Sequence, residues 1–259
     1  IYKFASQRRI KFDNMSKSFI IIPSRLSATR LPNKPLININ GKPLIMHVYE
    51  KAKKSQIGKV YVATCDNEIA IEVKKNGGEF IMTDSKHTNG TDRVFEASKK
   101  LKLKDNDLVM NVQGDEPMIN PLDIKNLNKI SKENSLNIST LAFNIKNKND
   151  YTNENIVKVI TKNKISNNST EEALYFYRKI KNTSNKQIYQ HFGIYLYSFS
   201  ALKNFVKLKK TKNEINERLE QLRVIDHNIK INVLLAQYYS SGIDTKKDLD
   251  EYIKLVNKW

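Results

Sequence analysis

The hydrophobic pattern of the chain predicts an α/β fold, a mixed and mostly parallel sheet flanked by helices. Three observations carry that expectation. Short apolar runs alternate with amphipathic stretches at βαβ spacing as far as residue 143. Gly, Pro and Asn-Gly signals sit at the junctions. A length of 259 residues, 39% hydrophobic and 28% charged, is enough for a full core and unlike the composition of disordered chains.

Residues 18–22 form an apolar run closed by Pro23, the pattern of a buried strand that feeds a loop. The loop through Pro35 is basic. Residues 37–41 alternate and end on Asn40-Gly41, a hairpin signal. Pro43 opens a helix to Lys54, since proline is favoured in a first helical turn. Strand 60–63, helix 67–76 stopped by Gly77-Gly78, strand 80–82 and helix 91–101 continue the alternation. Residues 108–112 read as a central strand ending at Gln113-Gly114-Asp115-Glu116-Pro117, followed by helix 121–131 and strand 138–143. The rhythm then changes. Residues 146–155 are polar, 156–160 strand-like, 163–184 irregular with an aromatic patch, and 188–199 an aromatic strand. Residues 216–227 read as one helix with Leu219, Leu222 and Ile225 on a shared face. A last strand, 231–236, precedes Gly242-Ile243-Asp244-Thr245 and a terminal helix to about Val256.

The expected organisation is one domain over 18–259, with a first half over 18–143, an inserted lobe over 144–215 and a return to the main sheet over 216–259. Residues 1–17 carry Arg8, Arg9 and Lys11 but no apolar stretch of signal-peptide length. They are expected to be a mobile extension, with translation starting at Met15.

Lys and Arg number 45 against 27 Asp and Glu, a formal net charge of +18, which first suggests nucleic acid. The distribution argues otherwise. Lysines are scattered, the densest run (207–212) holds four, and only eight basic residues are arginine, the better fork for phosphate. The lysine excess travels with abundant Asn and Ile, the usage of an AT-rich coding sequence. No apolar run approaches the roughly 20 residues of a membrane helix. The single Cys65 excludes an intrachain disulfide and a multi-cysteine metal site. A soluble, cytoplasmic protein is expected, without nucleic-acid or membrane partners.

The loop from Pro23 to Pro35 sets three cations (Arg25, Arg30, Lys34) and three hydroxyls (Ser24, Ser27, Thr29) at the carboxyl end of the first strand. Open α/β sheets collect ligands there, and these groups suit a triphosphate. The P-loop signature is absent, and a solvated basic loop is the plainer reading of residue types alone. The order of residues says more. Arg25-x4-Arg30-Leu31-Pro32-x-Lys34-Pro35-Leu36 is followed by Ile39-Asn40-Gly41-Lys42-Pro43-Leu44-Ile45 and Thr88-Asn89-Gly90-Thr91-Asp92-Arg93. Asn111-Val112-Gln113-Gly114-Asp115-Glu116-Pro117, His191-Phe192-Gly193-Ile194-Tyr195, Leu219-Glu220-Gln221-Leu222-Arg223 and Gly242-Ile243-Asp244-Thr245 come after. In unbroken register from about Ser18 to the C-terminus, these blocks resemble the sugar-nucleotide cytidylyltransferases, specifically those acting on 3-deoxy-manno-octulosonate (KDO).

The resemblance implies a Rossmann-like fold of the nucleotide-diphospho-sugar transferase type, with a sugar-binding and dimerisation lobe, and a homodimer. It implies transfer of CMP from CTP to the anomeric hydroxyl of KDO, with pyrophosphate released, Mg²⁺ as cofactor and lipopolysaccharide synthesis as the destination. An 8-amino-KDO, or a sialic or pseudaminic acid, is the alternative acceptor; a basic nucleic-acid-binding protein is the remote alternative.

Residue by residue, the resemblance assigns Asp115 and Asp244 to Mg²⁺, with Asp115 also at CTP. Mg²⁺ chemistry suits a few carboxylates with phosphate oxygens. The alternatives are a loop-capping role for Asp115 and an N-cap of the last helix for Asp244; Glu116 is read as structural. Arg25, Ser27, Thr29, Arg30 and Lys34 would bind the triphosphate, Lys34 and Arg30 stabilising developing charge. Their alternative is exposed loop charge. Thr91 and Arg93 match the family's nucleotide loop, against a plain helix start. Gln113, Arg178, His191, Tyr195, Glu220 and Gln221 match sugar-acid positions, Arg178 standing after an aromatic strand and suited to the carboxylate. His191 and Tyr195 read alternatively as core with satisfied tips, Glu220 and Gln221 as a wet helix face. No His or Asp–His pair stands out as a general base. Departures from the family pattern are Tyr177 before Arg178, Lys179-Ile180-Lys181 without an Ile-Pro, Asp92 for the commoner Glu, and Tyr238-Tyr239-Ser240-Ser241 without proline.

Overall fold

Strand β1 (Ser18–Pro23) is apolar without alternation because both of its faces are covered. It pairs in parallel with β4 (Lys59–Thr64) on one side and β6 (Leu108–Asn111) on the other, and β5 (Phe80–Met82) adds to β4. Ile20 and Ile22 join a core with Ile45 and Val48 of α1 (Leu44–Lys54), Ile69 and Val73 of α2 (Asn67–Lys75), and Ile124 and Leu127 of α4 (Pro121–Glu133). Ile21 belongs to a second core on the opposite face, with Val94 and Ala97 of α3 (Gly90–Lys100). The Asn-Gly signal forms the turn of a small hairpin, β2 (Asn38–Ile39) with β3 (Lys42–Pro43); Asn40 and Gly41 both have positive φ, 50° and 84°. The structure is a computed structural model and describes residues 16–27, 31–166, 168–180, 183–184 and 186–258.

The second half adds β7 (Ile138–Asn144), β8 (Lys158–Thr161), β9 (Thr170–Tyr177), β10 (Gln187–Ser198) and β11 (Asn232–Leu235). The strand order is β5-β4-β1-β6-β10-β7-β11-β9-β8. The sheet is mixed, as expected: parallel through β6, then entered by β10 antiparallel to β6, β7 and β8, with β7–β11 parallel. β8 pairs with both β9 and β10, so strands β10, β7, β11, β9 and β8 close on themselves. Residues 144–215 thus share their sheet with both flanks, and β10 runs through its middle.

Local readings differ from the sequence expectation at three places. The irregular stretch 163–184 contains β9, whose start is polar (Thr170, Glu171, Glu172) and whose buried residues are Ala173 and Phe176. The strand expected to end at 199 stops at Ser198, which caps α5 (Phe199–Phe205); Phe199, Leu202 and Phe205 are buried at a spacing of three. The helix expected over 216–227 is two short helices, α6 (Lys212–Glu217) and α7 (Gln221–Asp226), broken at Arg218 with φ 54°. α8 (Lys246–Val256) closes the chain. Of the expected mobile extension, residues 1–15 lie outside the described residues. Ser16 and Lys17 are tied down: Lys17 N–H donates to Asp107 at 3.0 Å and Lys132 donates to the Ser16 carbonyl at 3.0 Å.

Candidate active site

The chain leaves β1 toward β4 on one side and returns to β6 on the other, so the carboxyl ends of β1 and β6 form the crevice where open α/β sheets bind ligands. A cavity of about 360 Å³ opens there, lined by the residues after β1 (Ser24, Arg25, Ser27), the start of α3 (Asn89, Gly90, Arg93) and Gln113-Gly114-Asp115. Gly114 is required by the approach of the two loops, since a Cβ there would lie 2.9 Å from the Pro23 carbonyl. Asp66, after β4, accepts from Leu26 N–H at 2.8 Å and anchors the basic loop. Arg25 and Ser27 are exposed on this cavity. Thr29 and Arg30 lie outside the described residues. Arg93 is buried, its guanidinium donating to Thr83 Oγ1 and, at 3.5 Å, to Cys65 Sγ, so it supports the wall from beneath.

At the inner end of this cavity the two aspartates meet. Lys34 Nζ donates to Asp115 Oδ2 at 2.7 Å, Asp244 Oδ1 at 3.2 Å and the Ile243 carbonyl at 2.8 Å. The Lys34 side chain is 13% exposed, Asp115 32% and Asp244 47%. Burial works to lower the Lys34 pKa, and the two carboxylates outweigh it and hold it above the ordinary lysine value. Ile243 N–H donates to the Asp115 carbonyl at 2.8 Å, joining loops 128 residues apart. The cap of α8 is Thr245, with Asp248 returning the bond, and not Asp244, whose carboxylate turns to Lys34. Glu116 is buried beneath Gly242, where a Cβ would stand 3.1 Å from Glu116 Oε1, and accepts from Ser240 Oγ at 3.3 Å. Burial, then Asp115 and Asp244, push its carboxyl well above the usual range.

Beyond the aspartates lies a second cavity of about 830 Å³. It shares Gln113, Asp115 and Asp244 with the first, so the aspartate pair stands where the two spaces join. Arg178, His191, Tyr195, Glu220 and Gln221 all line it. Thr91, expected at the nucleotide, lines this cavity instead, because the first turn of α3 points its hydroxyl to Glu220 Oε2, 2.8 Å away. Burial raises the Glu220 pKa, against the Thr91 bond and Arg223. Burial lowers the His191 pKa to about 3, so its ring is neutral. The single proton of the Thr140 hydroxyl goes to the Ile194 carbonyl at 2.6 Å; at 3.0 Å His191 Nε2 is therefore the donor, and Nδ1 is left as an acceptor. The Tyr195 hydroxyl is buried without a well-formed hydrogen bond, the Thr140 side chain being the polar group within its reach. Arg178 spends three donors on the carbonyls of Glu217 (2.9 Å), Glu154 (3.1 Å) and Arg218 (3.3 Å), which leaves two of its five N–H groups.

The cytidylyltransferase family profile matches residues 19–231. The chain belongs to the cytidylyltransferase family. It is 44% identical over 255 residues to the 3-deoxy-manno-octulosonate cytidylyltransferase of Thermodesulfovibrio yellowstonii, a match covering 92% of this chain and 98% of that relative. Identity to the enzyme of the same name from Brucella anthropi is 40% over 241 residues, covering 93% and 96%. Among solved structures it is similar to CMP:2-keto-3-deoxy-manno-octonic acid synthetase complexed with CTP, with a TM-score of 0.85, 35% identity and coverage of 94% of this chain and 99% of that one. A UTP-bound UGPase from Acinetobacter baumannii shares the fold alone, at a TM-score of 0.67 and 11% identity, with 93% of each chain covered.

Ser24, one of the three loop hydroxyls expected at a triphosphate, lines the first cavity with a buried hydroxyl that has no hydrogen-bond partner. One residue of this cytidylyltransferase's cavities is new to the structure: Tyr239 lines the second, its ring 5.4 Å from Phe143. Its only sequence signal is the departure of 238–241 from the family pattern.

Proposed function

We propose that this cytidylyltransferase transfers CMP from CTP to the anomeric hydroxyl of KDO, with pyrophosphate released and Mg²⁺ held at Asp115 and Asp244, and that the CMP-KDO serves lipopolysaccharide synthesis in the cytoplasm. The observation that carries the reading is the junction of the two cavities at Gln113, Asp115 and Asp244. A nucleotide in the first and a sugar acid in the second would meet at one pair of carboxylates.

The donor set suits Mg²⁺. Among the described residues no three His, Cys, Asp or Glu are grouped to hold a metal by themselves. Two carboxylates do converge on one cation, the ammonium of Lys34, and Mg²⁺ takes one or two carboxylates together with phosphate oxygens and water. When bound, it neutralises charge gathering on the departing pyrophosphate. Lys34 and Arg25, with Ser27, Thr29 and Arg30, hold the triphosphate. In the second cavity the two remaining N–H groups of Arg178 take the carboxylate, His191 Nδ1 accepts from a sugar hydroxyl, and Tyr195 donates to one. Glu220 and Gln221 bind further hydroxyls, and Gln113 orients the anomeric end. The anomeric oxygen bonds to the α-phosphorus as the α–β anhydride bond breaks, and the hydroxyl proton passes to water, so that CMP-KDO, pyrophosphate and one proton are the products.

Tyr239, Ser240 and Ser241 line the acceptor cavity at a point where the sequence leaves the family pattern, which favours 8-amino-KDO or another nonulosonic acid as a second reading. Incubation with each of the four nucleoside triphosphates, Mg²⁺ and a panel of keto-sugar acids, with products identified by mass, tests both. CMP-KDO from CTP alone is expected; no product with any keto-sugar acid would overturn the reading. Sedimentation equilibrium tests the homodimer.

A further inference from the structure

Lys158, at the start of β8, is fully buried and makes no ion pair within hydrogen-bond distance among the described residues. Its ammonium donates instead to three main-chain carbonyls, those of Asn153 and Ile156 at 2.6 Å each and Arg178 at 2.5 Å. Three donors meet three acceptors, so the group is saturated. A buried cation is costly unless its surroundings answer it, and an apolar side chain of that length would fill the space without the cost. What the lysine does that an apolar chain could not is gather those carbonyls. Asn153, Ile156 and Arg178 all line the larger cavity, and Lys158 does not. Arg178 in turn reaches the carbonyls of Glu154, Glu217 and Arg218, two residues before Glu220. One buried ammonium therefore draws together the segment before β8, the end of β9 and, through Arg178, the α6–α7 break.

We infer that Lys158 is a positioning residue for the acceptor: it fixes the 153–156 segment and the backbone of Arg178, and so sets where that guanidinium stands. The inference rests on the second cavity being the acceptor's, as proposed above. Lys158→Met leaves the three carbonyls without their donor. The expected result is a KM for KDO raised about tenfold, with the KM for CTP changed less than about twofold. Amide hydrogen exchange is expected to speed up over 153–157 and at 178, and to stay unchanged over 23–27. Equal rises in both KM values, or no rise in either, would overturn the inference.

Should the variant fail to fold, the wild type decides it. Burial pushes the Lys158 ammonium down to about 8, with Arg178 adding to the fall and Asp150 and Glu154 opposing it. Tyr177 on β9 and uncharged Gln190 on β10 are the residues paired with it. Loss of the third donor above pH 8 raises the KM for KDO and leaves that for CTP flat. It does not weaken the fold, because a depressed lysine pKa makes stability rise between the folded and unfolded values. A KM for KDO that stays level to about pH 9.5 would overturn the inference. If the wild type turned over no keto-sugar acid, the acceptor reading would fall, and unchanged exchange over 153–157 in the variant would dispose of the positioning role separately.

Discussion

The two cavities on either side of the aspartate pair are built in opposite ways. The first cavity is made of three stretches, each at or just beyond the carboxyl end of a parallel strand or at the start of a helix, with Asp244 added from far along the chain. The second draws on segments spread from Thr91 to Asp248 and on an antiparallel strand, β10, that enters the sheet late. In the first, loops placed by strand register suffice. In the second, position depends on side chains that reach distant segments: Thr91 to the Glu220 carboxyl, Arg178 to the backbone of the α6–α7 break, Thr140 to the His191 ring. Substitutions should therefore act locally in the first cavity and through neighbours in the second.

The largest effects are expected at the junction, where both cavities depend on the same atoms. Asp115→Asn and Asp244→Asn should each lower Mg²⁺-dependent pyrophosphate release from CTP by about 10²–10³-fold or more, with the far-ultraviolet circular dichroism unchanged. Near wild-type turnover in either variant would detach the carboxylates from the chemistry. Lys34→Met is expected to cost about 10²-fold in kcat/KM for CTP if the proposed reading holds, because it removes a half-buried cation from beside the two aspartates. If Lys34 served only to quiet the two aspartates, its loss would instead lower stability at neutral pH and spare turnover in excess Mg²⁺.

The contrast between the cavities also governs what could be read from the chain. The first half was readable because Phe19 to Ile22, with no polar interruption, signals a strand covered on both faces, and because the ligand loop after it is continuous. Asp115 and Asp244 could be named only by resemblance. Nothing local says that the Ile243 N–H and the Asp115 carbonyl meet, or that Thr245 takes the helix cap and turns Asp244 inward. The residue pattern alone leaves β9 irregular, and only the resemblance puts an aromatic strand before Arg178, because its pairing with β8 and β11 is non-local and its first residues are polar. The α6–α7 break was missed because Arg218 adopts a left-handed conformation at a position with no glycine to announce it. That Thr91 bonds Glu220 and lines the second cavity could not be read either, because a helix start fixes where a residue sits but not which side its hydroxyl faces.

The acid limb of stability separates the two sides next. His191 is neutral in the fold, with its pKa lowered by burial to about 3 from the usual 6.5. The unfolded chain binds that proton first, so the contribution is present above about pH 6.5 and is lost as pH falls toward 3, at about 1.4 kcal/mol per unit. Urea unfolding between about pH 6 and pH 4 should show a slope shallower by that amount in His191→Asn than in the wild type. Identical slopes would mean that the ring takes up its proton without leaving the fold. Acceptor affinity, in contrast, should show no histidine titration over the same range.

The smallest effect is the most discriminating. Thr91 follows Gly90, which lines the first cavity, yet its hydroxyl bonds Glu220 in the second. Thr91→Val keeps the shape of the side chain and the turn of α3, and removes one hydrogen bond to a carboxyl whose pKa burial already raises. Glu220 then loses a bond that opposes its desolvation, so its pKa climbs further and its charged form is less favoured. The expected outcome is a KM for KDO raised about fivefold, diminishing as pH rises and the carboxylate re-forms, with the KM for CTP within about twofold of wild type. A rise in the KM for CTP alone would join Thr91 to the first cavity and erase the division between the two at neighbouring residues, Gly90 and Thr91.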